Sequence, residues 1–139
     1  MSWTAERYHD ISVGHRVHGH ESKCAHLHGH NYRIHFVCEA EDLDLVGRVI
    51  DFSEIKTRLC MWLEDHWDHR FLVSWGDPWK TALAAVDATV VVVQFNPTAE
   101  NIAEHLVKVV GPEQLRGTGI KLVSVRVEET RKCSATYKA

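Results

Sequence analysis

From His28 to Cys38 the chain alternates with period two, and the alternation opens on two histidines. His28, His30, Tyr32, Ile34, Phe36 and Cys38 share one face, while Asn31, Arg33, His35 and Glu39 fall on the other. Successive side chains of a strand point to opposite sides, so the pattern predicts a strand over 28–40 with one apolar face. Both imidazoles at its start then point the same way as residues that should be buried. Each brings ring nitrogens that an interior must satisfy, and a metal ion satisfies both rings at once. The competing reading is a polar surface loop whose histidines are incidental.

A strand is also predicted over 6–15, with His9, Ile11, Val13 and His15 on one face. Paired antiparallel, the two strands would bring His15 to His28 and His30. Three histidines with one open position form a catalytic zinc arrangement rather than a closed structural one. Six of the 11 histidines lie between His15 and His30. His18 and His20 repeat the His-x-His spacing, but they sit in a Gly-rich loop over 16–27 and rank as weaker ligands. Spacing alone does not force the choice of His15 over them. Cys24 lies four residues before His28. A divalent cation nearby would favour its thiolate, making it a base or nucleophile. The alternatives are a fourth zinc ligand or an inert thiol.

A helix is predicted over 52–66, capped by Asp51 with Glu54 three residues on, and carrying Phe52, Ile55, Leu59, Trp62 and Leu63 as its apolar stripe. Residues 67–87 read as irregular, since Gly76 and Pro78 interrupt any pattern. Within them, Asp68-His69 is either a proton relay or a surface turn. Val90–Val93 suggests a small strand. Thr98 caps a second helix with Ile102, Leu106 and Val110 in register, and Gly111-Pro112 should stop it. A strand over 119–129 puts Val123, Val125, Val127 and Glu129 on one face, and 134–138 adds a short fourth main strand. Glu129 is either an edge residue or a carboxylate able to accept paired N–H bonds from an amidine-like ring.

This order predicts a single α+β domain over 1–139, an antiparallel four-stranded sheet with two helices on one face. Its open edges call for cover by another subunit. A net charge of -3 with no basic stripe gives no reason to expect nucleic acid as a partner. No apolar run reaches the ~20 residues that span a bilayer. The four cysteines form no CxxC pair, and with a polar start to the chain they are expected to be reduced thiols in the cytoplasm, with Cys38 and Cys60 in the core.

Taken together, Gly14-His15-Arg16, Cys24-Ala-His-Leu-His28-Gly-His30-Asn31-Tyr32, Val49-Ile50-Asp51-Phe52, Trp67-Asp68-His69-Arg70-Phe71-Leu72, Asn96-Pro97-Thr98-Ala99-Glu100-Asn101 and Val127-Glu128-Glu129-Thr130 resemble the 6-pyruvoyl-tetrahydropterin synthase and 6-carboxytetrahydropterin synthase family. The resemblance runs over nearly the whole chain. It implies a tunnelling fold whose subunits assemble their sheets into a barrel, often as a hexamer of two trimers, with active sites between subunits. It implies zinc (Zn2+) on His15, His28 and His30, Cys24 as the proton-abstracting residue, and Asp68 and His69 as a relay. It also implies Glu129 as the pterin anchor and Thr98 in the lining of the pterin pocket.

The three residues between Cys24 and His28 are similar to the carboxy-forming branch, which feeds 7-deazaguanine and queuosine synthesis. That branch acts on 7,8-dihydroneopterin triphosphate and releases acetaldehyde and triphosphate. The rivals are the pyruvoyl-forming synthase, a non-catalytic zinc protein with Cys24 as fourth ligand, and a metal-storing or metal-sensing protein. Arg16, Lys23 and Arg70 are triphosphate candidates by charge and position. The chain departs from the family pattern at Trp67 and Val73, and in a longer segment from Ser74 to Gln94.

Overall fold

The computed structural model describes residues 1–139. Strands β1 (Trp3–His15) and β2 (His28–Ala40) pair antiparallel along their full length, from Trp3 opposite Ala40 to His15 opposite His28. This register sets the position of the histidines, since Val13 stands opposite His30 one pleat away from His15. A slip by one residue would turn every one of these side chains to the other face.

The sheet has six strands and is mixed, which corrects the expected four-stranded antiparallel sheet. Strand β3 (Arg70–Ser74) runs parallel to β1, and β4 (Val91–Val93) runs parallel to β3. Strand β5 (Lys121–Glu129) pairs antiparallel with β2, and β6 (Cys133–Lys138) with β5. The spatial order is β4-β3-β1-β2-β5-β6. Strand β3 falls in the segment read as irregular. Its adjacent residues Leu72 and Val73 are both fully buried, as in parallel strands covered on both faces, so no alternation betrays it.

Helix α1 covers 52–66, with a five-residue π turn at Lys56–Cys60 between α-helical Phe52–Ile55 and Met61–His66. Asp51 caps it by accepting Ser53 N–H at 2.9 Å. Glu54 does not complete a capping box but pairs with Arg58. Ile55, Leu59 and Leu63 are buried as the stripe predicts, while Phe52 is exposed and Cys60 takes a core place. A short helix α2 (Lys80–Val86) has no buried residue, so it offers no apolar stripe to read.

Helix α3 covers 99–114, again with a π turn, at Leu106–Val110. Gly111-Pro112 does not end it. After the wide turn, Pro112 sits in the first turn of the last α-helical segment. Gly111 also lets the helix approach β5, since a Cβ there would lie 2.8 Å from Leu122 Cβ.

The sheet face of Ile11, Val13, Tyr32, Ile34, Phe36, Val125 and Val127 meets the buried stripes of α1 and α3 in one core. A bulge opposite Val37 and Cys38 shifts the register of β5, so Leu122 rather than Val123 takes the buried position. The opposite sheet face is charged, with Arg33 paired to Asp10 and His35 between Glu6 and Glu128. No helix is long and apolar enough to cross a membrane.

Candidate metal and pterin site

The β1–β2 register brings together the three histidines that the pattern singled out. His15, His28 and His30 each offer a ring nitrogen within 4.8 Å of the others. Their ring centroids are 4.5 Å (His15–His28), 5.2 Å (His15–His30) and 4.9 Å (His28–His30) apart. Two rings are held from behind. His15 Nδ1 donates to the Pro97 carbonyl at 2.6 Å and His28 Nδ1 to the His26 carbonyl at 2.7 Å, which leaves the other ring nitrogen of each, Nε2, for a further partner. Such backing bonds orient metal-bound imidazoles.

His28 Nε2 is buried and has no hydrogen-bond partner. A buried polar atom left unmatched is rare, and here it faces two other imidazoles. This orphan nitrogen and the all-imidazole donor set fit a divalent transition-metal ion.

Glu129 closes the other side of the cluster. Its Oε1 lies 2.9 Å from His30 Nε2 and 3.3 Å from His15 Nε2, and it accepts the Tyr32 hydroxyl at 3.2 Å. The bond from His15, with the charges of His30 and His15 and the Tyr32 hydroxyl, outweighs partial burial and holds the Glu129 carboxyl below its usual range. Burial pulls the His30 imidazole down, against the attraction of Glu129. Burial beside Glu129 holds the Tyr32 phenol protonated far above the usual tyrosine range.

Tyr32 is a member of the site that the sequence pattern assigned only to the core. The available signal was its place two residues after His30 on the same face. The Pro97 and His26 carbonyls carry no side-chain signal at all.

Cys24 sits half-buried in a 3₁₀ turn, Lys23–Ala25, beside the cluster but outside the converging group. Cys38 and Cys60 are core thiols, as expected, pushed by burial up to about 12 and about 11. Thr98 uses its hydroxyl to cap α3, accepting Asn101 N–H at 3.1 Å. It follows Pro97, whose carbonyl backs His15.

Asp68 and His69 form a pair, with Asp68 Oδ2 2.9 Å from His69 Nδ1. Burial opposes ionisation of Asp68, but the Ser12 N–H at 2.9 Å and His69 outweigh it and keep the carboxyl low. His69 is highly exposed and adopts a left-handed backbone, φ +60°. No hydrogen bond or ion pair joins this dyad to Cys24 or to the three histidines of the same chain. A shallow open cleft lined by His30, Asn31, His69, Arg70 and Thr130 runs between them. Arg16, a triphosphate candidate by charge, is buried and committed to Asp77, which removes it from that role. Lys23 is exposed and Arg70 lines the cleft.

The fold and this site can be set against known proteins. Residues 4–139 match the 6-pyruvoyl tetrahydropterin synthase family. The chain belongs to that family. As a family member it is 32% identical over 126 residues to the 6-carboxy-5,6,7,8-tetrahydropterin synthase of Rickettsia bellii, covering 89% of this chain and 91% of that one. Among solved structures, it is similar to Caenorhabditis elegans 6-pyruvoyl tetrahydropterin synthase, with TM-score 0.71 and 26% identity over 100% of this chain and 96% of that one. A protein of unassigned function from Wolinella succinogenes shares the fold more closely, with TM-score 0.85 at 23% identity over 99% of this chain and 98% of that one. The family is one of enzymes, and this chain is an enzyme of the pterin-synthase kind, similar over most of its length to lyases named 6-carboxy-5,6,7,8-tetrahydropterin synthase.

Proposed function

We propose that this protein converts 7,8-dihydroneopterin triphosphate to 6-carboxy-5,6,7,8-tetrahydropterin, releasing acetaldehyde and triphosphate, with zinc held by His15, His28 and His30. The observation that carries the reading is the unpartnered, buried His28 Nε2 facing the other two imidazoles. Curated relatives named for the carboxy-forming reaction support the product.

Bound there, zinc supplies a Lewis acid for hydroxyl oxygens of the substrate side chain. Cys24 takes a proton from that side chain as the general base. His69, oriented through Nδ1 by Asp68, moves protons on. Glu129 is the ring anchor, since a carboxylate accepts two parallel N–H bonds from a pterin edge, and its low carboxyl keeps it in the accepting form. Thr98 fixes the start of α3, and with it the segment that lines the ring pocket. The separation of Asp68 and His69 from Cys24 within one chain favours a homo-oligomer, a hexamer of two trimers, with each active site between subunits. The product would feed 7-deazaguanine and queuosine synthesis in the cytoplasm.

The pyruvoyl-forming reaction is the second reading, favoured by the likeness to the C. elegans enzyme. The non-catalytic zinc reading, with Cys24 as fourth ligand, is disfavoured because Cys24 stands outside the converging group. Product mass spectrometry with zinc-loaded protein and 7,8-dihydroneopterin triphosphate tests the proposal. A carboxytetrahydropterin with acetaldehyde upholds it, a pyruvoyl product replaces it with the second reading, and no turnover overturns both.

A further inference from the structure

Arg16 follows the cluster histidine His15 and is 6% exposed; Asp77 is 1% exposed. Charges leave water only when paired and hydrogen-bonded, and here Arg16 Nε donates to Asp77 Oδ2 at 2.5 Å. The rest of the guanidinium is also engaged. Nη1 donates to the Ala25 carbonyl at 3.0 Å, Nη2 reaches His18 Nδ1 at 3.2 Å, and the Trp79 ring covers the guanidinium carbon at 3.6 Å. Asp77 is fixed in turn, because its Oδ1 accepts Trp79 N–H at 2.8 Å.

Ala25 ends the turn that carries Cys24. The Cys24 carbonyl accepts Val17 N–H at 2.8 Å. Two consecutive carbonyls of the turn are thus tied to the two residues after His15. The turn has no fully buried residue of its own, so packing holds it weakly and these bonds are its main ties. A planar guanidinium holding several partners at once is a rigid bracket in a way that a lysine is not. Asp77 comes from the segment between β3 and α2, where the chain departs from the common pattern of its family.

We propose that Asp77 is a positioning residue, which acts through Arg16 to fix the Cys24 turn against the three-histidine cluster. The proposal rests on the role assigned above to Cys24. Asp77→Asn keeps an oxygen for Trp79 N–H but takes away the second acceptor that holds Arg16 Nε. A small displacement of a reacting group costs rate while leaving substrate binding nearly intact.

The test compares Asp77→Asn and Asp77→Glu in the 139-residue protein carrying Cys133→Ser, which removes the exposed thiol and leaves half-buried Cys24 as the one outside the core. Three quantities are read: kcat and KM on 7,8-dihydroneopterin triphosphate, zinc per chain, and the rate of Cys24 alkylation by iodoacetamide. Asp77→Asn is expected to lower kcat about tenfold or more with KM within about twofold and zinc unchanged, and to change the alkylation rate several-fold. Asp77→Glu is expected to restore most of both. An Asp77→Asn protein with unchanged kcat and unchanged alkylation overturns the proposal, as does one that loses zinc, KM and kcat together without rescue by glutamate. If the parent protein turns over no substrate, the proposed reaction has failed, and alkylation alone decides whether Asp77 positions the turn. If Asp77→Asn does not fold, Trp79→Leu, which uncovers Arg16 but keeps the ion pair, is expected to shift alkylation; an unchanged rate then overturns the proposal.

Discussion

His15 and His28 face each other across the β1–β2 ladder as direct register partners, with ring centroids 4.5 Å apart and His28 Nε2 unmatched. A ligand that binds only the folded form raises stability by about 2.7 kcal/mol at a hundredfold excess over its Kd. Added zinc is therefore expected to raise the melting temperature of metal-free protein, and His28→Ala to abolish most of that rise. Thermal unfolding with and without zinc checks this; an equal rise in His28→Ala would remove His28 from the ligand set.

Glu129 gives a pH signature in the metal-free protein. Its folded carboxyl lies below the ordinary value of 4.5. Its contribution is thus present above the unfolded value and lost as pH falls through the folded one. Glu129→Gln is expected to cost roughly 1.5–3 kcal/mol near neutrality, the range for a hydrogen bond to a charged group, and much less in strong acid. Denaturant unfolding at both pH values reads the difference. In zinc-loaded enzyme the same change is expected to raise KM, through loss of the proposed ring anchor.

Tyr32 should be silent in an alkaline titration. The chain has three tyrosines, and burial beside Glu129 keeps the Tyr32 phenol protonated. Tyr32→Phe is therefore expected to leave the alkaline tyrosinate titration of the folded protein unchanged and to lower its amplitude only once the protein is unfolded. A native-state titration that loses amplitude in Tyr32→Phe would contradict the buried Tyr32–Glu129 contact.

Gly111 inverts a usual rule. Alanine in a helix interior normally gains up to about 1 kcal/mol over glycine. Here a Cβ would meet Leu122 Cβ at 2.8 Å and the Leu106 carbonyl at 3.2 Å, and overpacking costs about 1–3 kcal/mol. The clash wins, so Gly111→Ala is expected to lower the melting temperature.

The cluster was legible in the sequence because it sits where two period-two patterns end. The alternation of β2 assigned His28 and His30 to the buried face, and that of β1 assigned His15. Strand β3 was not legible, since its two buried residues, Leu72 and Val73, are adjacent and so alternate nothing. Helix α2 buries no residue and so leaves no stripe. Cys60 and Val110 are in the core as expected, but Val107 joins them from the π turn of α3, where the wider helix departs from 3.6-residue periodicity. Tyr32, the Pro97 carbonyl and the Arg16–Asp77 pair depend on contacts between distant segments, which no local pattern records.

The left-handed backbone at His69 sets stability and chemistry against each other. A non-glycine residue at φ +60° is held in a sparsely populated region, and glycine or asparagine would occupy it with less strain. Selection for thermal tolerance alone would therefore drift toward replacing the one exposed imidazole of the Asp68 dyad. With His69 in the relay proposed above, a heat-hardened library of this enzyme should be rich in folded but inactive proteins altered at position 69.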